Sequence, residues 1–188
     1  MQFGIVSFIW IPVSHSMTSE TFDYWTPPEN FAIVEKGVYR SGFPTKKNFP
    51  FLRHLGIKSV VYLCLEDYPD GNIEFLNSID CKLFHFGVAG NKEPFVDIPE
   101  ETILRALDVV FDVSNHPILI HCNKGKHRTG CLVGCLRKVR GWSMSAVFDE
   151  YRRFAFPKAR FMDQQFIELF DSKKIPGPDA ARTILLDK

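Results

Sequence analysis

The sequence predicts an α/β fold, a central and mostly parallel sheet flanked by helices, and three observations carry that prediction. Short apolar runs at 58–65, 82–86 and 117–121 are rich in β-branched or aromatic residues, as in strands covered on both faces. Segments with apolar residues at helical spacing lie between and after them, which makes parallel β-α-β crossovers the default. Gly56, Gly87 and Pro117 punctuate the runs.

Residues 1–11 are apolar and uncharged. They lack a positively charged start and stop at Pro12, short of the roughly 20 residues that span a bilayer, so a loosely docked extension is expected rather than a signal peptide or stable membrane insertion. With the polar stretch up to Pro27 this gives an N-terminal extension at 1–27. One domain at 28–171 and a tail at 172–188, with Pro176-Gly-Pro178, complete the organisation.

Within the domain, two short strands near 31–34 and 38–40 flank a Glu35-Lys36-Gly37 turn. A helix follows at about 45–55, capped by Thr45 and stopped by Gly56, with Phe49, Leu52 and Leu55 on one side. After the strand at 58–65, Tyr68-Pro-Asp-Gly71 reads as a turn, 73–79 as a helix and 82–86 as a second central strand. Residues 87–97 have neither periodicity, and form an exposed loop at the strand end where α/β sheets place ligands. Pro99 suits the first turn of a helix reaching about 113, with Ile103, Leu104, Leu107, Val110 and Phe111 as its stripe. The third central strand, 117–121, leads into a loop at 122–128 and an apolar, buried helix to about 140. Gly141 stops that helix, Ser143 caps another to about 154, and a last one spans about 163–170.

Composition supports one substantial core, with 45% hydrophobic and 14% aromatic residues in 188. A net charge of +1 argues for no nucleic-acid partner. Five cysteines, at 64, 81, 122, 131 and 135, form no Cys-x-x-Cys pair and fit neither a disulfide framework nor a zinc site. A reducing compartment follows, the cytoplasm and also the nucleus, and no metal or organic cofactor is called for.

The chemistry concentrates in His121-Cys-Asn-Lys-Gly-Lys-His-Arg-Thr-Gly130, where a strand meets a helix. Such a loop can wrap its backbone N–H groups around a tetrahedral phosphate, and the helix N-terminus adds partial positive charge. That field favours the thiolate of Cys122, the nucleophilic form. Cys122 then attacks phosphorus in line, and Arg128 forks onto two equatorial oxygens. Gly125 brings the backbone close to the anion, Thr129 donates a hydrogen bond to the sulfur, and His121 orients the loop. Cys131 and Cys135 read as structural thiols. No Ser or Thr follows Lys126, so this is not a nucleotide-binding Walker loop.

His121-Cys-x-x-Gly-x-x-Arg-Thr-Gly130 resembles the signature of the cysteine-based protein-tyrosine-phosphatase superfamily. A wider resemblance covers about 28–171: Asn30-Phe-Ala, Gly37-Val-Tyr-Arg-Ser-Gly-Phe-Pro44, Gly90-Asn-Lys-Glu-Pro94 and Asp163-Gln-Gln-Phe-Ile-Glu168 are similar to segments of the plant and fungal atypical dual-specificity phosphatases. That resemblance implies a dual-specificity phosphatase fold and cleavage of the β-phosphate at the 5-position of inositol pyrophosphates, besides activity on phosphotyrosine and aryl phosphates.

The loop's own residues bear on the substrate independently. Lys124, Lys126 and His127, beside Asn123, add up to three more cationic groups, but Arg128 and the amides already neutralise one phosphate dianion, so Lys124 and Lys126 are surplus unless the substrate carries several phosphates. Lys92 and the basic segment with Arg152, Arg153, Lys158 and Arg160 extend the field if the fold brings them to the same face; otherwise that segment is a solvated helix end. Asp97 and Glu93 are the candidate proton donors, although Asp97 also suits a helix cap and Glu93 a surface loop. An inositol-bound phosphate leaves with a second pKa of only about 6, so pyrophosphate cleavage needs little help from an acid. Two rivals stand beside this reading: a phosphotyrosine or dual-specificity protein phosphatase acting on phosphorylated protein, and a catalytically idle phosphate-binding module.

Overall fold

The computed structural model describes residues 25–90 and 98–175. Five strands, β1 (Ala32–Glu35), β2 (Val38–Ser41), β3 (Ser59–Tyr62), β4 (Lys82–His85) and β5 (Ile118–His121), form one sheet in the order β1-β2-β5-β3-β4. β1 and β2 pair antiparallel, and every other pairing is parallel. The helices are α1 (Phe49–His54), α2 (Asp70–Ser78), α3 (Glu100–Phe111), α4 (His127–Val139), α5 (Met144–Ala155) and α6 (Phe161–Leu169). This is the expected α/β architecture.

β5 takes the middle position because it can be buried on both faces: Ile118, Leu119 and Ile120 have no exposed surface. Its register sets Ser41 on one side and Tyr62 on the other opposite His121. The carboxyl ends of β2, β5 and β3 therefore lie level, and the loop after His121 opens there. The run at 82–86, expected to be central, is instead the sheet edge. Lys82 and His85 are exposed, which an edge strand accommodates and a central one does not.

Helix α4 is buried nearly all round because α3, α5 and α6 pack against it. Gly134 permits the approach of α6, since a Cβ there would lie 2.6 Å from Ile167 Cδ1. Arg137 and Glu150, both nearly buried, join α4 to α5 through a two-pronged bond of 2.8 and 3.1 Å, and the guanidinium stacks 4.1 Å over Trp142. Arg140 ties the end of α4 to Glu35 of β1 at 2.7 and 3.1 Å.

Several boundaries differ from expectation. Tyr68-Pro-Asp-Gly71 is not a free turn: Pro69 caps α2, whose first residue Asp70 carries a carboxylate suited to a helix N-terminus. Pro99 likewise caps α3 rather than lying in its first turn. Trp25, assigned to the extension, stacks on His54 at 3.5 Å, and Asn48 Nδ2 donates to the carbonyls of Thr26 and Pro27. At the other end Ile175 is buried and Lys174 pairs with Glu100, so the packed domain reaches beyond 171. Among the described residues no helix is long and apolar enough to cross a membrane.

Removing one partner of a buried ion pair strands the other charge. Glu150→Ala should lower the unfolding free energy by about 3 kcal/mol, read by urea denaturation; an unchanged midpoint would mean that the pair does not hold α5 in place.

Candidate active site

Cys122 is the first residue after β5, and α4 begins five residues later at His127. The loop between them is held by its carbonyls. Asn123 O accepts from Phe43 N at 2.9 Å, Gly125 O accepts from Arg40 Nη2 at 3.0 Å, and Asn30 Nδ2 reaches Lys124 O and Gly125 O at 3.4 and 3.3 Å. In a trans peptide the following N–H points opposite to the C=O. Pinning these carbonyls therefore turns the amides of Lys124, Gly125 and Lys126 away from those partners.

Gly125 is needed for a reason beyond closeness to an anion. Its φ is +64°, and a Cβ would lie 2.4–2.5 Å from backbone atoms of Ser41 and Gly42. Asn30 adopts φ +59°, which asparagine tolerates, and also donates to Phe154 O at 3.0 Å, joining the loop to the end of α5. Arg40 is 1% exposed and stacks 3.8 Å over the Phe154 ring. Burial lowers its pKa to about 10, against the pull of Glu150 and Cys122, so it stays charged behind the loop at neutral pH.

A cleft of about 230 Å³ opens over Cys122. Ala89 and Gly90 form one wall; the loop and α4 contribute Asn123, Lys124, Lys126, His127 and Arg128; Arg160 closes it from the basic segment. No carboxylate is among the described residues lining it. Arg128 donates to Val88 O at 3.2 Å, a carbonyl on the segment that follows β4. Lys126 Nζ donates to Phe156 O at 2.7 Å, and Lys124 Nζ lies 3.6 Å from Glu29 Oε2.

His127 Nε2 donates to Lys158 O at 2.7 Å; burial lowers its pKa, with Arg160 and Lys126 adding to the effect. It is therefore a hydrogen-bonding wall rather than the cation expected. His121 is fully buried amid Phe43, Tyr62 and Tyr68, with ring centroids 5.2–5.6 Å away. Cys122 O can only accept, so His121 Nδ1 carries the proton at 3.4 Å and Nε2 accepts from Tyr68 Oη at 3.1 Å. Burial pushes its pKa down to about 3. Burial also raises Cys64, Cys81, Cys131 and Cys135, so those four remain thiols at neutral pH, and all five cysteines are unbridged.

Cys122, Asn123, Lys124, Gly125, Lys126, His127, Arg128 and Thr129 thus share one loop and helix start, with Arg160 alone reaching the cleft from the basic segment. Arg152 donates to Gln164 Oε1 at 2.8 Å and lies 3.7 Å from Asp149, and it does not line the cleft. Lys158 contributes its backbone carbonyl to His127, and its side chain does not line the cleft. Thr129 is buried, but its hydroxyl has no hydrogen-bond partner among the described residues, so the expected bond to sulfur is not formed. Lys92, Glu93 and Asp97 lie outside the described residues.

Sequence reasoning gave no role to Arg40 and Asn30, which carry the loop. The signal was an arginine in the middle of a strand with buried neighbours, since so large a charged side chain enters a core only when paired or stacked. Tyr151 was also missed: its hydroxyl donates to Asp163 Oδ2 at 2.5 Å and accepts from Arg160 N at 3.2 Å, setting the backbone that carries Arg160.

A thiol at a strand end, a pinned loop and an arginine on the following helix make the arrangement expected of a cysteine-based phosphatase site. A sequence profile for the tyrosine phosphatase family matches residues 25–184, and the chain belongs to that family. It is 59% identical over 145 residues to the inositol diphosphatase DSP1 of Oryza sativa subsp. japonica, covering 77% of this chain and 65% of that one. Against the inositol diphosphatase DSP4 of Arabidopsis thaliana identity is 56% over 149 residues, covering 79% and 75%. The chain thus spans just under two thirds of the rice relative's length and three quarters of the Arabidopsis one. Among solved structures, the core catalytic domain of the PP-IP phosphatase SIW14 from S. cerevisiae, in complex with citrate, superimposes with a TM-score of 0.78 at 50% identity, covering 86% of this chain and 97% of that one.

His121 supplies a pH test. Its folded pKa of about 3 lies below the ordinary 6.5, so between those values the unfolded chain binds a proton that the folded one refuses. Stability from this group is complete above pH 6.5 and is lost as pH falls toward 3, with a slope approaching about 1.4 kcal/mol per pH unit. Denaturant titrations across that window should give His121→Gln a shallower acid slope than wild type. Parallel slopes would remove the buried neutral imidazole as a cause.

Proposed function

We propose that the protein is a cysteine-dependent phosphatase that removes the β-phosphate of inositol pyrophosphates, at the 5-position, through a phosphocysteine intermediate. The observation that carries this reading is the charge of the cleft: Lys124, Lys126, Arg128 and Arg160 surround Cys122, more cation than one phosphate dianion requires. The names of the rice, Arabidopsis and yeast relatives support the same substrate class.

In this mechanism the Cys122 thiolate attacks the β-phosphorus. The S–P bond forms as the bridging P–O bond breaks, and its electron pair leaves on the inositol-bound phosphate. Arg128 turns from Val88 O to fork onto two equatorial oxygens while the amides of the pinned loop take the third. Water then attacks phosphorus, orthophosphate departs and the thiolate is restored. Thr129, whose hydroxyl has no other partner among the described residues, donates to the sulfur when it carries negative charge. Asp97 and Glu93 are the proton donors to test for ester substrates, and Lys92 is the further cation to test. The unbridged thiols suit a reducing compartment, the cytoplasm or also the nucleus.

The same nucleophile and arginine would serve a phosphotyrosine substrate, so the decisive assay sets the two side by side at neutral pH with Cys122→Ser as the blank. A diphosphoinositol pentakisphosphate should be turned over faster than a phosphotyrosine peptide, and Lys126→Ala should cut kcat/KM for it by about tenfold while costing the peptide about threefold or less. Equal losses would defeat the charge argument, and phosphate release by Cys122→Ser matching wild type would leave only a binding module.

A further inference from the structure

A second cleft, of about 430 Å³, adjoins the catalytic one, and Asn123 and Lys124 form walls of both. Its remaining boundary includes Glu29, Phe43, Lys47 and Asn48. The wall is built rather than incidental. Asn48 is buried, accepts from Thr45 N at 2.8 Å and donates to the carbonyls of Thr26 and Pro27 at 3.0 and 3.1 Å. Glu29 O accepts from Gly42 N, and Phe43 N donates to Asn123 O. The backbone that frames the second cleft is thus the backbone that pins the nucleophile loop, which fixes the distance between the two clefts.

The charges in the second cleft are exposed. Lys124 and Glu29 are 65% and 60% exposed and stand 3.6 Å apart, a pair that contributes little to stability and is easily exchanged. The Lys47 ammonium has no carboxylate partner among the described residues. We propose that this cleft is an accessory subsite for non-reacting phosphates of a ring polyphosphate, in which Lys124 exchanges the Glu29 carboxylate for a phosphate and Lys47 binds a second. The inference deepens the proposed function and rests on its premise that the substrate carries clustered phosphates. A phosphate near two negative charges outcompetes a single carboxylate for Lys124, whereas a monophosphate seated over Cys122 leaves the pair intact. Glu29 is therefore a discriminator: it keeps Lys124 occupied until a second phosphate arrives.

The test uses the full chain carrying Cys122→Ser, titrated calorimetrically with myo-inositol hexakisphosphate and with phenyl phosphate. The readout is the ratio of the two dissociation constants, hexakisphosphate over phenyl phosphate. Adding Lys47→Ala should raise that ratio about fivefold, and adding Glu29→Gln should lower it about threefold, each the size expected for one exposed charge. Ratios that stay at the parent value, or that move together in the two variants, would overturn the subsite. Hexakisphosphate contains no pyrophosphate bond, so this titration reads the cleft whether or not diphosphates are cleaved, and the two readings fail separately.

Discussion

Gly125 and the backbone of Ser41–Gly42 approach so closely that no side chain fits between them, and the geometry of the loop after Cys122 depends on that contact. A loop of five residues has too few internal partners to hold one shape, so its conformation must be imposed by neighbours. The parallel pairing of β2 with β5 brings Ser41 level with His121, which sets the strap beneath the loop. Arg40 and Asn30 then take the carbonyls, and what remains on the other side is a concave row of amides. The loop's position thus follows from the sheet's register.

The same contacts decide where positive charge sits. Arg40 is buried behind the loop and paired with an aromatic face, so its charge acts on the loop without competing for the substrate. Arg128 is parked on the carbonyl of Val88, and Lys126 on that of Phe156. These are neutral acceptors that a phosphate readily replaces. Among the described residues neither is locked in a carboxylate pair that would have to be broken first. His121 adds no charge: neutral and enclosed by aromatic rings, it fastens the loop's first carbonyl to the core.

The central strand at 118–121, the helix after it and the thiol-to-arginine spacing were legible because each is written in contiguous residues whose pattern has one physical use. The edge position of β4 was less so, since Leu83 and Phe84 look like core until Lys82 and His85 are weighed on both faces. Arg40 and Asn30 lay further out of reach. Their role exists only after strands 80 residues apart in sequence are paired, and local periodicity carries no trace of that. The basic segment was ambiguous for the same reason: whether Arg152 or Arg160 meets the cleft depends on where α5 ends and how Tyr151 and Asp163 anchor the chain beyond it.

Cation placement and leaving-group chemistry fit together. A phenolate leaves with a conjugate acid pKa near 10 and gains much from a proton donor. A phosphate leaving an anhydride has a second pKa of about 6 and departs as an anion at neutral pH. What it needs is positive charge near the breaking bond. Lys124, Lys126 and Arg160 line the cleft, so its described residues supply the positive charge that departure of an anion needs. Under the proposed function, the cations that would gather a polyphosphate are also the ones that would hold the phosphate as it leaves, which would make binding and catalysis two uses of one charge distribution.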